Sequence, residues 1–337
     1  MRTRTANREP SSSSVGKCLQ KLDLGGHLGE SPGTPMRHAV IFNPTARGGA
    51  SRRFREVLGG LGDDLVLKPT TGAGTAPALA VEAAREGCEV VVAAGGDGTV
   101  SEVISGLAAE PGLLERVALG VVPLGTINVF ARELGLPARD IRAAWSVIRD
   151  GGDLCVDVPE VEFTAADGKV RRQAFAQLAG AGLDSRAVSL VSWPLKQKVG
   201  ALAYAVAGMR ALAGRQPLVQ VAVGDRTMAG PLVLIGNGRL YGGSVAMQPG
   251  ASLTDGRLHV RVFRSVGPAL LLRFGLAFLL RRPLTPGDDL VLDAGEFSLR
   301  SEGPMPLQLD GDHVGFLPAQ FRIRPGALRV RVPVQPG

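Results

Sequence analysis

The chain has 337 residues, of which 45% are hydrophobic, 20% charged and only 4% aromatic, and its formal net charge is +7. This composition excludes a disordered chain and a coiled coil, and the length allows two domains that each bury a core. Because aromatic residues are few and like charges form no long run, the basic balance argues against a nucleic-acid binder. It favours an anionic membrane surface or a phosphate-bearing ligand instead.

The N-terminal segment is polar and contains several serines, glycines and prolines. A segment of this composition cannot bury enough apolar surface to fold, so residues 1–36 are predicted to be a disordered tail. Its basic residues are not followed by an apolar core, and we therefore predict no signal peptide. Met36 stands directly before the first strand pattern and is a second candidate start of translation.

The cysteines and the most apolar stretch indicate the compartment. The chain has three cysteines, at widely spaced positions and without a Cys-x-x-Cys pair, which favours a reduced compartment: Cys18, Cys88 and Cys155. The apolar stretch 266–280 contains Arg273 and is shorter than the roughly 18 apolar residues that a membrane span needs. We therefore predict a cytoplasmic protein.

From residue 37 onward, apolar strand patterns alternate with helical patterns. Strands are predicted over 38–42, 65–70, 88–95 and 117–123, and helices around 54–58, 77–86, 101–107 and 127–134. This alternation predicts an α/β domain over 37–150, with a parallel sheet covered by helices on both faces. Ligands of such sheets bind at the carboxyl ends of the strands.

After about residue 151 the pattern changes to strands bounded by Gly, Pro and Asp turns. They are predicted over 156–164, 218–224, 231–237, 257–263, 297–302, 306–310 and 327–334, with helical segments near 196–213 and 267–281. We predict a β-rich second domain over 151–337, of the β-sandwich type. Its C-terminal end either stays in the sandwich or packs back on the first domain.

The strongest motif is GGDGT (95–99), which follows a buried strand and opens a helix. Glycines allow the backbone to approach a phosphate closely, and the N–H groups of a helix N-terminus attract its charge. Thr99 and Glu102 also form a T-x-x-E pattern, whose structural role would be a capping box at the helix start. We predict a phosphate-binding loop here.

Polar turns also follow two other strands of the predicted sheet. They are NPTARGG (43–49) and PLGTIN (123–128). Each turn alone is more typical of an ordinary loop than of a site. Because the carboxyl ends of parallel strands meet at one edge of a sheet, we expect the three turns to converge on one crevice.

On these motifs the sequence resembles the diacylglycerol kinase catalytic-domain family of lipid kinases, which includes bacterial diacylglycerol kinases and sphingoid-base kinases. Three further segments support the resemblance: NGRLYGGS (237–244), PGASLTDGRL (249–258) and LDGD (309–312). The motifs follow the family's order over about residues 37–337. GGDGT alone also occurs in NAD kinases, so its combination with PLGTIN makes the resemblance specific.

The resemblance implies an ATP site between an α/β domain and a β-sandwich domain. The residues that it places at the nucleotide are Asn43, Pro44, Thr45, Ala46, Arg47, Thr70, Gly95, Gly96, Asp97, Gly98, Thr99, Val100, Ser101, Glu102, Thr126 and Asn128. It places Asp310 where the family has the base that accepts the proton of the lipid hydroxyl, with Asp97 and Asp312 as further catalytic carboxylates. It implies a structural Mg²⁺ at Asp255, with main-chain oxygens from Ser252 and Arg257.

The chemistry of phosphoryl transfer fits these residue types. The reaction needs in-line positioning, Mg²⁺ to neutralise charge and an acceptor for the hydroxyl proton. Hard cations favour carboxylate oxygens, so we predict that Asp97 acts on the phosphates through Mg²⁺ and water. The Asp310-Gly311 and Asp255-Gly256 pairs also fit ordinary turns, so the residues alone leave a purely structural role open.

Three positions depart from the family pattern. Ser101 stands where the family often has Asn, Val129 where many members have a metal-organising Asp, and Asp312 where the usual residue is Glu. Val129 leaves the expected metal network to Asp97 and Asp312. We interpret the departures as divergence in substrate rather than loss of activity, with a pseudokinase as the alternative.

Two segments, 185–215 and 261–282, combine an apolar helical pattern with basic residues. Each contains five basic residues and no acidic residue. Basic residues beside an apolar face suit a helix that lies on an anionic membrane leaflet. An ordinary core-facing helix with solvated arginines fits the pattern equally well.

The sequence therefore predicts an ATP- and Mg²⁺-dependent kinase of diacylglycerol or a related membrane lipid. The nearest alternative is a sphingoid-base or other lipid-alcohol kinase, and an NAD kinase would leave PLGTIN and the basic apolar segments unexplained. A catalytically silent lipid- or nucleotide-binding regulator is an alternative of another class, suggested by Val129 and Asp312. The sequence leaves open the acceptor lipid, the nucleotide preference and whether the chain forms a homodimer.

Overall fold

The computed structural model describes residues 36–44, 49–60, 65–138, 140–183, 185–186, 216–243, 245–284 and 287–334. The predicted helix near 196–213 and the N-terminal tail up to residue 35 lie outside the described residues. The described helices are α1 (Gly49–Val57), α2 (Ala76–Arg85), α3 (Asp97–Ala109), α4 (Leu113–Arg116), α5 (Val129–Glu133), α6 (Ile141–Asp150) and α7 (Pro268–Leu280). A short 3-10 helix (Leu58–Gly60) follows α1.

The described strands begin with four that alternate with helices: β1 (His38–Phe42), β2 (Leu65–Pro69), β3 (Val90–Gly95) and β4 (Ala118–Pro123). The remaining strands are β5 (Gly152–Thr164), β6 (Val170–Ala174), β7 (Leu178–Gly182), β8 (Val219–Val223), β9 (Arg226–Gly230), β10 (Leu232–Gly236), β11 (Leu240–Tyr241), β12 (Val245–Ala246), β13 (Leu258–Phe263), β14 (Asp289–Ala294), β15 (Glu296–Ser301), β16 (Pro306–Leu309) and β17 (Asp312–Val332).

Strands β1 to β4 form the parallel half of the main sheet, in the order β2-β1-β3-β4. Strands β1, β3 and β4 are almost entirely buried, as expected of apolar parallel strands that helices cover on both faces. Helices α2 and α3 pack on one face, and α1 and α6 on the other. The loops after β1, β3 and β4 consequently leave the sheet at the same edge.

The long strand β17 joins this parallel half to an antiparallel half. Over most of its length β17 pairs with β5, and near its end Arg329 and Val330 pair in parallel with Ala118 and Leu119 of β4. From β17 the sheet continues through β16, β7, β10 and β13 to β14, while β15, β8 and β9 branch from β17. Apolar residues of both branches meet in one core, as in a β-sandwich.

The predicted fold class, a parallel α/β half followed by a β-sandwich-like half, is confirmed. The strand predicted over 38–42 is β1 itself, and the strand predicted over 327–334 is the last part of the longer β17. The helix predicted over 127–134 begins later, at Val129, because Asn128 adopts a left-handed backbone conformation with φ of 53°. Helices α4 and α6 and strands β6, β7, β9, β11, β12 and β14 were absent from the sequence-based prediction.

Candidate functional site

The GGDGT loop joins β3 to α3 at the carboxyl edge of the parallel strands. Helix α3 begins at Asp97, with Gly96 as its N-cap in an extended conformation. The backbone at Gly95 lies so close to Thr99 that a β-carbon there would collide with the threonine side chain. Glycine is therefore required at this turn, which leaves the first N–H groups of a 13-residue helix at the edge of the sheet.

The expected capping box between Thr99 and Glu102 is wrong. Because α3 already begins at Asp97, Thr99 lies inside the first turn and cannot be the N-cap. The carboxylate of Glu102 instead accepts the backbone N–H of Gly74 at 2.8 Å and that of Ala76 at 3.2 Å. Glu102 thus fixes the start of α2 beside the GGDGT loop.

The PLGTIN loop packs directly against the GGDGT loop. Asn128 accepts the N–H of Gly125 at 3.0 Å and donates its amide to the carbonyl of Gly125 at 2.8 Å, which closes the turn. A β-carbon on Gly125 would lie 2.6 Å from the Cα of Gly96, so the two loops touch backbone to backbone. Asp97 adds a hydrogen bond from the N–H of Phe130 at 3.2 Å. The structure therefore brings these two predicted motifs together.

The third predicted loop, NPTARGG, is described only in part. Asn43 and Pro44 follow β1, and Thr45, Ala46 and Arg47 lie outside the described residues. Thr70, at the end of the neighbouring β2, donates its backbone N–H to the carbonyl of Phe42 at 2.8 Å. Asn43 and Thr70 therefore lie at adjacent strand ends on the same edge as the other two loops.

A cavity of about 230 Å³ adjoins the PLGTIN loop. Thr126 and Asn128 line it together with Arg53 of α1 and Arg132 of α5. Two guanidinium groups beside a glycine-containing turn suit an anionic ligand. Arg53 and Arg132 were not predicted from the sequence, although both lie on helices that follow strand ends, which was a usable signal.

Asp310 occupies the hairpin turn between β16 and β17. Asp310 and Gly311 both have positive φ, 47° and 88°, which is the two-residue hairpin geometry that Asp-Gly favours. The carboxylate accepts the backbone N–H groups of Ala176 at 2.7 Å and of Gln177 and Leu178 at 2.9 Å each. Burial raises the pKa of Asp310, and these hydrogen bonds, with one from the hydroxyl of Ser101, oppose the rise.

Asp312, two residues later, has a different environment. It is exposed at the start of β17, and its Oδ2 lies 3.6 Å from the point where a β-carbon on Gly98 would be. The antiparallel half of the sheet therefore places a carboxylate against the GGDGT loop. Asp312 thus lies beside the residue that follows Asp97, although 215 residues separate the two aspartates in the sequence.

The predicted Mg²⁺ turn is closed by its own hydrogen bonds. Asp255 accepts the backbone N–H groups of Ser252 and Arg257 at 3.0 Å each, and its Oδ2 lies 2.8 Å from Nε2 of His259. The buried carboxylate of Asp157 accepts the N–H of Gly256 at 2.6 Å, and burial raises the pKa of Asp157. In the described residues both Asp255 oxygens already accept hydrogen bonds, so a structural Mg²⁺ at this turn stays a prediction.

Glu133 connects the nucleotide-side loops to the antiparallel half. This residue ends α5, and its side chain is only 4% exposed. Its carboxylate accepts the side chain of Gln177 at 3.2 Å, the guanidinium of Arg239 at 2.8 Å and the N–H of Leu240 at 2.9 Å. No local sequence pattern predicts these contacts, because the partners of Glu133 lie 44 to 107 residues away along the chain.

We expect Glu133→Ala to lower the free energy of unfolding by about 1–3 kcal/mol, because it removes the acceptor of the buried Gln177 amide and of the half-buried N–H of Leu240. Urea denaturation followed by circular dichroism measures the loss. Glu296→Ala is the matched control, since Glu296 is exposed and accepts one bond, from Gln320 at 2.9 Å. Equal losses in the two variants would contradict a linking role for Glu133.

Comparison with known proteins identifies the family of this chain. The model of the diacylglycerol kinase catalytic domain matches residues 37–161, and that of the YegS C-terminal NAD kinase beta sandwich-like domain matches residues 177–332. The chain is 31% identical to a diacylglycerol kinase of Bacillus subtilis (strain 168) over 292 residues, 85% of this chain and 92% of the relative. This chain belongs to the diacylglycerol kinase family.

Two further proteins are similar to this chain over most of its length. A protein of Klebsiella pneumoniae (strain 342), 29% identical over 87% of this chain and 95% of its own length, is described as a probable lipid kinase, YegS-like. The crystal structure of a diacylglycerol kinase from Bacillus anthracis str. Sterne superposes with a TM-score of 0.64 at 23% identity. It covers 88% of this chain and 96% of that one, and it shows the shared fold. As a member of the diacylglycerol kinase family, this chain is a lipid kinase with an alcohol group as acceptor.

Proposed function

We propose that this lipid kinase transfers the γ-phosphate of ATP to a hydroxyl of diacylglycerol or a closely related lipid. The observation that carries the proposal is the approach of the Asp312 carboxylate to Gly98, which follows Asp97 in a glycine loop at a helix N-terminus. Phosphoryl transfer needs such a cradle for the phosphates together with oxygen ligands and a proton acceptor beside it. We further propose the division into a nucleotide-binding domain (37–150) and a lipid-substrate domain (151–337).

The loops around Gly96 fit a nucleotide. Gly96 and Gly125 contact each other backbone to backbone. Because neither residue has a side chain, a phosphate can approach the backbone N–H groups of both loops. The predicted ATP residues that the structure describes come from four adjacent strand ends: Asn43, Pro44, Thr70, Gly95, Gly96, Asp97, Gly98, Thr99, Val100, Ser101, Glu102, Thr126 and Asn128. Of these, Thr70, Val100, Ser101 and Asn128 are buried and support the loops from within the fold.

Asp97 is the residue that we propose to hold Mg²⁺, directly or through water. One of its oxygens accepts the N–H of Phe130, which holds the carboxylate beside the first turn of α5. Carboxylate oxygens are the ligands that Mg²⁺ prefers, and a bound ion would neutralise charge on the phosphates. Val129, which replaces the family's aspartate, is buried and offers no ligand.

Two carboxylates are candidates for the acceptor of the lipid's proton, and the sequence favoured Asp310. Its raised pKa suits a base, but both of its oxygens already accept backbone N–H groups. Asp312 is exposed beside Gly98. We therefore propose that Asp310 fixes the hairpin and that Asp312 accepts the hydroxyl proton.

Transfer of radiolabelled γ-phosphate from ATP to lipids in mixed micelles tests the function. The panel holds diacylglycerol, monoacylglycerol, ceramide, sphingosine and phosphatidylglycerol, with and without Mg²⁺. We expect Mg²⁺-dependent product with diacylglycerol or another glycerolipid. Product with sphingosine alone would support the sphingoid-base alternative. ATP binding without product from any lipid would favour the regulator and contradict the proposal.

The acceptor lipid resides in a membrane, so we also propose a cytoplasmic protein that associates with the membrane surface. In the part of the chain that the structure describes, no helix is long and apolar enough to cross a bilayer. The first of the two basic apolar segments, beyond Arg186, lies outside the described residues. The second contains α7, whose environment is described next.

A further inference from the structure

Helix α7 leaves one side entirely apolar and uncovered. Of its 13 residues, only Leu270 and Ala277 are buried. At 100° per residue, the opposite side carries only apolar residues, which we call the α7 outer face: Pro268, Ala269, Leu272, Leu276, Leu279 and Leu280. Leu272, Leu279 and Leu280 expose 63%, 78% and 56% of their surface. A soluble protein seldom leaves so many large side chains contiguous in water.

The inner side of α7 is firmly packed, so the helix itself is part of the fold. Leu270, Phe274 and Ala277 contact a core that includes Leu234 and Phe263. Arg273, the single charged residue of the helix, reaches Oδ1 of the buried Asp289 at 3.4 Å. The outer face is therefore a fixed surface of a folded helix.

The charges around the α7 outer face have one sign. The segment 264–284 contains four arginines and no acidic residue. Arg281 and Arg282 are exposed directly after the helix, and no ion pair joins them to another described residue. Arg264 lies 3.6 Å from the exposed Asp288. Arginines beside an apolar face are complementary to acyl chains below anionic headgroups, and a protein partner would not require both features.

Helix α7 is connected to the proposed active site by apolar contacts. Phe274 and Phe278 contact the ring of Tyr241, with centroids 5.9 and 6.5 Å apart. Gly242, which has positive φ, lies against the ring of Phe278, and a β-carbon on Gly243 would lie 2.5 Å from Cγ2 of Ile127. Ile127 follows Thr126 in the PLGTIN loop and is 40% exposed. Only the short hairpin of β11 and β12 therefore separates α7 from the PLGTIN loop.

We infer that α7 lies in the headgroup region of an anionic membrane and holds the active site at the lipid surface. The inference rests on the proposed function, because it supplies the route by which a membrane lipid reaches the site. Thirteen residues form a helix about 20 Å long, which suits a position parallel to the surface rather than across it. The leucines enter the acyl boundary, and Arg281 and Arg282 meet the headgroups.

Vesicle co-sedimentation of the full chain tests the docking surface. We expect binding to vesicles of phosphatidylcholine mixed with phosphatidylglycerol, and weaker binding to phosphatidylcholine alone. The double variant Leu272→Gln, Leu279→Gln should lower the partition coefficient by about tenfold or more. The double variant Arg281→Gln, Arg282→Gln should remove most of the preference for anionic vesicles.

The matched control is the double variant Leu67→Gln, Leu218→Gln, because these leucines are 47% and 53% exposed but lie outside α7. It should bind vesicles as the unchanged protein does. Circular dichroism checks that every variant is folded. If the leucine variant of α7 binds vesicles as well as the control, the inference is wrong, whatever the activity.

Two further measurements separate this inference from its competitors. Phosphorylation of a water-soluble short-chain diacylglycerol needs no docking, so the α7 leucine variant should retain it while losing activity on vesicles. If the unchanged protein binds vesicles through α7 but phosphorylates no lipid, the docking surface stands and the proposed function fails. If the leucine variant changes a dimer to a monomer in analytical ultracentrifugation and leaves vesicle binding intact, the α7 outer face covers a second copy and the inference is overturned.

Discussion

Asp312→Asn is expected to lower kcat for lipid phosphorylation by about 10²- to 10⁴-fold while the protein stays folded. The variant keeps the size of the side chain beside Gly98 and removes its ability to accept a proton at neutral pH. Because Asp312 is exposed, its substitution should change the free energy of unfolding by no more than about 1 kcal/mol. The measurement is the steady-state rate with ATP and diacylglycerol in mixed micelles, together with the dissociation constant for ATP.

The companion variant Asp310→Asn should differ in kind. An amide supplies only one acceptor oxygen, so at least one of the N–H groups of Ala176, Gln177 and Leu178 would face an N–H donor. Each buried donor left unsatisfied costs about 1–3 kcal/mol. We expect Asp310→Asn to lower stability and activity together, with the hairpin displaced.

The pair of variants distinguishes the two assignments of the base. A stable but inactive Asp312→Asn with an unstable Asp310→Asn supports the division of roles proposed above. The reverse result, an active Asp312→Asn and an inactive Asp310→Asn of unchanged stability, would restore Asp310 as the proton acceptor. An Asp312→Glu variant provides a further control, because it keeps the carboxylate and restores the residue that the family usually has at this position.

Much of the architecture could be predicted from the sequence because its signals are local. The apolar runs of β1, β3 and β4 and the alternation with helices fix a parallel sheet, and with it the edge where the loops meet. The three loop motifs are likewise contiguous in the sequence. Strands β6 and β9, at the periphery of the antiparallel half, were missed because they contain few apolar residues: VRRQA and RTMAG.

The details of the site depend on long-range contacts that no local pattern encodes. The T-x-x-E pattern predicted a capping box, but Glu102 bonds to the loop before α2 instead. The LDGD motif does not show which contacts its two aspartates make. In the structure, Asp310 accepts hydrogen bonds from the backbone of residues 176–178, and Asp312 lies beside Gly98. The apolar stretch 267–281 left a core helix and an interfacial helix equally open, and the pattern does not show which side of α7 is packed and which is exposed.

Gly125→Ala is the second variant with a large expected effect, because it acts on the contact between the two phosphate loops. The added methyl group would lie 2.6 Å from the Cα of Gly96 and 2.6 Å from Oδ1 of Asn128. Asn128 can rotate, but the backbone of Gly96 cannot move without shifting the start of α3. The loops must therefore separate by several tenths of an ångström to about 1 Å.

A displacement of that size is enough to impair catalysis, since misplacing reacting groups by about 1 Å costs about 10²-fold in rate. We expect Gly125→Ala to lower kcat/KM for ATP by about 10²-fold and to weaken ATP binding measured by calorimetry. Gly72→Ala is the control, because a β-carbon there meets no atom within 4 Å although the residue lies in the loop before α2. If both variants bind ATP and turn over equally, the contact between Gly96 and Gly125 is packing alone, and the phosphates must be held elsewhere.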